Sequence, residues 1–244
     1  MTDKPASIRF DQVDLLRARH RFAFDCTLPA GEITAVVGAS GSGKTTFLNL
    51  IAGFETPQQG RILLGAEDVT HLHPAERPVS LVFQDNNLFA HLDIATNIGL
   101  GISPSLRLTP DDRARIGDAL RRTGLAGYDK RLPGTLSGGE RQRAAFARAL
   151  VRDRPCLLLD EPFAALDPGL RATMAGLLAE LHGETGVTVV LVTHSAADVE
   201  KLASRVLFLS EGRILADESK MDFFHRSGPT EITEFLQNGQ LSGT

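Results

Sequence analysis

"ITAVVGASGSGKTTFLNLIAG" (Ile33–Gly53) decides the fold. Its opening, "ITAVVG" (Ile33–Gly38), is almost unbroken apolar chain rich in β-branched residues. That is how a strand reads when its sheet is covered on both faces. Its close, "FLNLIAG", reads as an apolar helix. Between them "GASGSGKTT" (Gly38–Thr46) fits G-x-x-x-x-G-K-[ST], and strand, loop and helix together give that spacing its meaning. Glycines let backbone N–H groups curl around an anion, and the helix N-terminus adds partial positive charge. Lys44 can reach β- and γ-phosphates, and the Thr45 hydroxyl can ligate Mg²⁺. Gly38, Ala39, Ser40, Gly41, Ser42, Gly43, Lys44, Thr45 and Thr46 are therefore the candidate nucleotide-binding residues.

Outward from this loop, "VSLVF" (Val79–Phe83), "CLLLD" (Cys156–Asp160), "VTVVLVT" (Val187–Thr193) and "RVLFLS" (Arg205–Ser210) repeat the buried-strand pattern. "SIRFDQVDLL" and "RFAFDCTL" alternate instead, as half-exposed antiparallel strands do. Helices start at "TPDD", with Thr109 as cap and Pro110 in the first turn, and at "LDPG", with Asp167 as cap and Pro168 next. The second should stop near Gly183. From about Asp85 to Arg152 no strand is convincing. The expectation is an α/β fold: a P-loop NTPase (RecA-like) core with a mainly parallel sheet, an N-terminal antiparallel β subdomain and an inserted helical subdomain. The division is one domain over 1–244, with core 1–84 and 153–215, helical subdomain 85–152 and a short C-terminal tail 216–244.

The 244 residues are 42% hydrophobic and 23% charged, with a net charge of −4. That balance gives no bulk attraction to nucleic acid or to an anionic membrane. Cys26 and Cys156 read as two buried thiols in a reducing compartment. No apolar h-region follows the first residues, and apolar runs are far shorter than a membrane-spanning helix needs. Any membrane role is expected to be indirect and peripheral.

"LSGGERQR" (Leu136–Arg143) heads a helix and spends two glycines there. Ser137 and Glu140 form S-x-x-E, a capping box, which accounts for both of them. A capping box needs neither Gly138 nor Gly139. Bare N–H groups, a hydroxyl and a helix dipole make a receptor for phosphate oxygens. The loop at Gly38–Thr46 already serves this chain's phosphates. The economical resolution is two chains, each offering this turn to the other's nucleotide.

The remaining parts lie at strand ends. Asp160 can hold Mg²⁺ through water, and Glu161 can orient or deprotonate an attacking water. His194 follows a buried strand at the end where open α/β sheets bind ligands. Gln84, ending "VFQ", is a candidate for sensing Mg²⁺ and the attacking water. Solvated turn acids and a structural histidine are the bland readings of the same residues.

In this order the motifs resemble the ATP-binding subunit of ABC transporters over nearly the whole chain. "GASGSGKTT" looks like the P-loop, Gln84 like the Q-loop glutamine, and "LSGGE" like the family signature. "LLLDEP" looks like the Walker-B strand with its catalytic glutamate, Glu161. "AALD", ending at Asp167, looks like the D-loop, and His194 like the switch histidine. The resemblance implies ATP and Mg²⁺ as cofactors. It implies a head-to-tail dimer with ATP between one P-loop and the other chain's signature, Asp167 included. It also implies a transmembrane permease driven by closure and hydrolysis, docking near Gln84–Phe89, with Leu88 and Phe89 the candidates for receiving it. A periplasmic substrate-binding protein would take part indirectly. The place would be the cytoplasmic face of a bacterial inner membrane.

"RPVSLVFQDNNLFAHLDIATNIGLG" followed by "SPSLRLT" is most similar to the ATPases of bacterial thiamine importers. Importers of iron(III), polyamines or molybdate, and exporters, are the alternatives. Two departures stand out. Glu140 replaces the commoner Gln, and the family's adenine-stacking aromatic is missing. Arg17 stands at its position, with His20 or Phe22 as substitutes. Chromosome-type ATPases split loop and signature with a coiled coil that cannot fit between Lys44 and Ser137. No basic cluster marks a nucleic-acid surface, and a stand-alone kinase would not need "LSGGE".

Overall fold

The computed structural model describes residues 5–83, 87–164, 166–225 and 229–241. Strands β1 (Ile8–Arg17) and β2 (His20–Leu28) form an antiparallel hairpin, Ile8 opposite Leu28 and Arg17 opposite His20. Their burial alternates as the apolar pattern does. Strand β3 (Ile33–Val37) is buried at all five residues, and α1 (Lys44–Ala52) follows the glycine loop. Then come β4 (Gln59–Leu64), β5 (Glu67–Asp68) and β6 (Val79–Val82). Helices α2 (Ile94–Ile102), α3 (Pro110–Arg122) and α4 (Gly138–Leu150) occupy the middle, with a 3₁₀ turn at Pro133–Thr135. Next are β7 (Cys156–Asp160), α5 (Pro168–Thr185), β8 (Thr188–Val192) and α6 (Ala196–Leu202). The chain closes with β9 (Arg205–Ser210), β10 (Arg213–Ser219), α7 (Lys220–His225) and α8 (Thr230–Leu241).

The ten strands of the described residues join one sheet, in the order β5-β4-β1-β2-β10-β9-β3-β8-β7-β6. Strands β9, β3, β8, β7 and β6 run parallel; β1, β2, β4 and β5 pair antiparallel. The parallel half is covered on both faces and buries nearly every side chain, which is why it reads as unbroken apolar runs. The antiparallel half packs on α1. Phe47 of α1 stacks on Phe10 at 4.4 Å and meets Phe24 edge-on at 5.1 Å. Each buried Phe stabilises by roughly 1.5–3 kcal/mol, and each ring pair by about 0.5–1.5 kcal/mol more. The helix behind the glycine loop is thereby fixed to the hairpin.

No strand occurs among the described residues 87–152. Helices α2, α3 and α4 pack on one another through Ile94, Ile98, Ile116, Leu120, Ala144 and Ala147. Ala145 and Phe146, on another face of α4, pack with Leu157 and Leu159 of β7. Helix α4 thus belongs to both bodies.

Thr109 and Ser137 each close a capping box, and Asp167 caps α5 through Leu170 N–H at 3.0 Å. Helix α5 runs past Gly183 to Thr185 and stops at Gly186, φ +64°. A helical glycine with open space around it does not end a helix; one in the left-handed region does. The sequence reading also missed β4 and β10, both built on "GRIL". Each is half polar and held by an antiparallel neighbour, β4 by β1 and β10 by β9, rather than by burial on two faces. Strand β10 runs on to Ser219, past the 215/216 division. Cys26 and Cys156 are free and buried, and burial pushes both thiols up to about 12. Among the described residues no helix is long and apolar enough to cross a membrane.

Candidate active site

Adjacent parallel strands β3, β8 and β7 bring the site together: each ends at the same edge of the sheet. The glycine loop follows β3, His194 follows β8, and Asp160 ends β7 with Glu161 after it. One cleft is lined by Gly38, Ser40, Gly41, Gly43, Lys44, Thr45, Thr46, Asp160, Glu161 and His194, with Phe22 at its side.

The loop is shaped by its own chain. Gly38 has φ +147°, and a Cβ there would lie 2.2 Å from the Leu209 carbonyl oxygen. Gly43 has φ +109°, and its Cβ would meet the Phe22 ring at 2.9 Å. An L side chain is excluded at both by conformation and by space. Lys44 Nζ donates to the carbonyls of Gly38 at 2.9 Å and Ala39 at 2.8 Å. Burial pulls the Lys44 ammonium down; Glu161 and Asp160 pull it back up. Asp160 is pushed above the ordinary carboxylate range by burial, then by Glu161, with Lys44 opposing. Two carboxylates beside one ammonium leave the site short of positive charge, as a hard cation's site should be. The Thr45 hydroxyl and the Asp160 carboxylate both line the cleft and could offer oxygens to such a cation. Among the described residues no cluster of three or more His, Cys, Asp or Glu forms a self-sufficient metal cage. A cation that keeps waters and takes phosphate oxygens needs none.

Glu161 sits at φ +47°, the left-handed region, which costs a non-glycine residue about 1–2 kcal/mol. It is held there from both sides. Its N–H donates to Val192 O at 3.0 Å, and its carbonyl accepts from Ala164 N–H at 3.2 Å and from Gln142 Nε2 at 3.2 Å. Its carboxylate Oε2 lies 3.4 Å from His194 Nδ1, and the His194 ring is 61% exposed. Its side chain lines the cleft together with Lys44 and His194.

The second glycine turn stands at the head of α4. Ser137 Oγ accepts from Glu140 N–H at 3.2 Å, and Glu140 Oε2 accepts from Ser137 N–H at 2.7 Å. Tyr128 donates its hydroxyl to Glu140 Oε1 at 2.8 Å, and the Arg131 guanidinium lies 3.9 Å over the Tyr128 ring. Those bonds hold the Glu140 carboxyl below the usual range, Ser137 N–H contributing most. Gly138 is helical, and a Cβ there would meet nothing within 4 Å. Nothing in its own chain asks for a glycine.

The other anticipated residues are placed as follows. Arg17 ends β1 and pairs with Glu55 at 3.3 Å; it does not line the clefts that flank the loop. His20, Phe22 and Arg19 line the cleft that continues past Ala39–Ser42 toward Ser210–Leu215. Asp167 is exposed and caps α5. Gln84 lies outside the described residues. Leu88 is partly buried between two core clusters, whereas Phe89 is 50% exposed on a backbone clamped by the buried Asn97 side chain. Phe54, 54% exposed, packs on Phe83 nearby in sequence to that segment. Sequence reasoning missed Gln142 and Tyr128. Gln142 lay in the quoted signature, and its burial on a polar helix was the available signal; Tyr128 gave none.

Fold and site define a P-loop ATPase of the cassette type, with its phosphate loop, paired acids and histidine on neighbouring strand ends. The family model described as "ABC transporter" matches residues 23–164, more than half of the chain. The chain belongs to the ABC transporter family. It is 58% identical over 216 residues to the thiamine import ATP-binding protein ThiQ of Rhizobium meliloti (strain 1021), covering 88% of this chain and 91% of that one. It is 54% identical over 236 residues to the ThiQ of Mesorhizobium japonicum, covering 97% and 93%. Among solved structures, a dimeric ATP-binding cassette in a post-hydrolysis state with ADP and Pi superposes with TM-score 0.80 at 28% identity, covering 87% of this chain and 98% of that one. A bacterial Atm1-family ABC exporter with ATP bound gives 0.83 at 29% identity, covering 98% of this chain and 43% of that chain.

Proposed function

We propose that this chain is the ATP-hydrolysing subunit of an ABC importer that energises uptake of thiamine or its phosphates. The relatives named for thiamine import match nearly end to end, which supports the cargo class. In this reading the core, 1–84 and 153–215, holds the nucleotide, and 85–152 carries the signature turn and the docking surface. The protein works at the cytoplasmic face of the inner membrane on a permease that meets the segment Gln84–Phe89, where Phe89 is exposed; a periplasmic binding protein delivers cargo.

ATP lies along the loop with its γ-phosphate before Lys44 and His194. Thr45 and Asp160, with Gln84, would hold Mg²⁺, which would supply neutralising charge to the phosphates. Glu161 orients the attacking water and takes its proton. His194 holds the γ-phosphate from the β8 side. Ser137, Gly138 and Gly139 of a second copy complete the site from the other face, and Asp167 lines the same junction. The observation that supports this is the head of α4, where Gly138 stands in open space beside a capping box that is complete without it.

The test is the complex with its permease in proteoliposomes. ATP turnover should rise when thiamine and the binding protein are added. Equal stimulation by iron(III) or polyamine with their binding proteins, and none by thiamine, would reject the cargo.

A further inference from the structure

We propose that Arg171 and Asp198 are positioning residues for His194, locking its turn to the first turns of α5. The inference rests on the reading of His194 given above.

Asp198 lies in the first turn of α6, with its side chain 6% exposed. Arg171 grips it as a fork, Nε to Oδ1 at 2.9 Å and Nη2 to Oδ2 at 2.6 Å. Thr193 donates its hydroxyl to the same Oδ2 at 2.9 Å. That hydroxyl in turn accepts from Ser195 N–H at 3.1 Å, and Ser195 Oγ accepts from Asp198 N–H at 3.4 Å. The residues on both sides of His194 are thus closed into one hydrogen-bonded ring, while the His194 ring stays exposed and pairs with the Glu161 carboxylate.

A helix cap would explain Ser195 alone. It does not explain a carboxylate buried under a bidentate guanidinium, an arrangement that fixes a plane as well as a distance. Arg171 N–H donates to Asp167 O at 2.8 Å, so the fork stands one turn from the cap of α5. A displacement of that exposed helix start moves Arg171, and through Asp198 and Thr193 it moves the backbone that carries His194. The pair therefore sets where the imidazole points and lets the start of α5 report to it.

Arg171→Lys keeps the charge and loses the fork; Asp198→Asn keeps the shape and loses the pair. Each should lower kcat for ATP by about tenfold or more, with ATP affinity by calorimetry within about twofold. Histidine-labelled protein, with His194 signals assigned through His194→Ala, should show shifted His194 ring resonances in both variants. Unchanged kcat overturns the proposal, and so does lost kcat with unshifted His194 resonances. If Asp198→Asn fails to fold, the milder Arg171→Lys decides by the same two readouts. Wild-type turnover by His194→Ala would instead remove the reading of His194 itself, and the positioning role with it.

Discussion

The phosphate loop and the signature turn both spend glycines at a helix start, for opposite reasons. Gly38 and Gly43 are forced by their own chain: positive φ, a carbonyl at 2.2 Å, a phenyl ring at 2.9 Å. Gly138 has helical backbone and nothing within 4 Å. Its capping box is closed by Ser137 and Glu140, with Tyr128 behind Glu140, and asks for no glycine. A glycine that the fold requires says only how the loop is shaped. At Gly138, which heads a helix whose capping box is complete without it, we read the glycine as the mark of something that comes close from outside.

Substitution separates the two cases. Gly38→Ala should have the largest effect, losing ATP binding and stability together, as calorimetry and thermal melting will show; a stable variant with normal affinity would break the contrast. Glu161→Gln should bind ATP normally and lose turnover by roughly 10²–10⁴-fold, the range for a general base. Wild-type turnover would take the chemistry away from that strained residue. Gly138→Ala should keep ATP binding and gain up to about 1 kcal/mol of stability, since alanine is the better helix former. Its ATPase rate should nevertheless fall. An unimpaired rate would mean that no atom approaches there.

Tyr128→Phe should cost about 0.5–1.5 kcal/mol, one hydrogen bond, with ATP affinity unchanged. The smallest effect concerns pH. Glu140 has its pKa lowered from 4.5, so its bonds add stability above that value and lose it as pH falls through the lower folded value. Glu140→Gln should flatten that acid limb in pH-dependent melting; an unchanged limb would assign it to other carboxylates.

The phosphate loop, the five parallel strands and the three caps were legible because each is written in consecutive residues. Strands β4 and β10 were not, because their partners supply the stability that their own sequence lacks. The parts of the site that escaped notice are joined across the fold. Gln142 reaches Glu161 from α4, Tyr128 reaches Glu140 from the preceding turn, and Arg171 reaches Asp198 from α5. Counting along the chain places Arg17 at the adenine position; in the structure its guanidinium pairs with Glu55, and His20 and Phe22 line the cleft past the loop.

The central claim is that the signature turn serves the nucleotide of a second copy. Glu161→Gln with Mg-ATP, measured by sedimentation velocity, should pass from monomer to dimer as ATP is added. Glu161→Gln/Ser137→Arg should bind ATP with the same affinity and stay monomeric. A double variant that still dimerises, or that loses ATP binding as a monomer, would contradict the account.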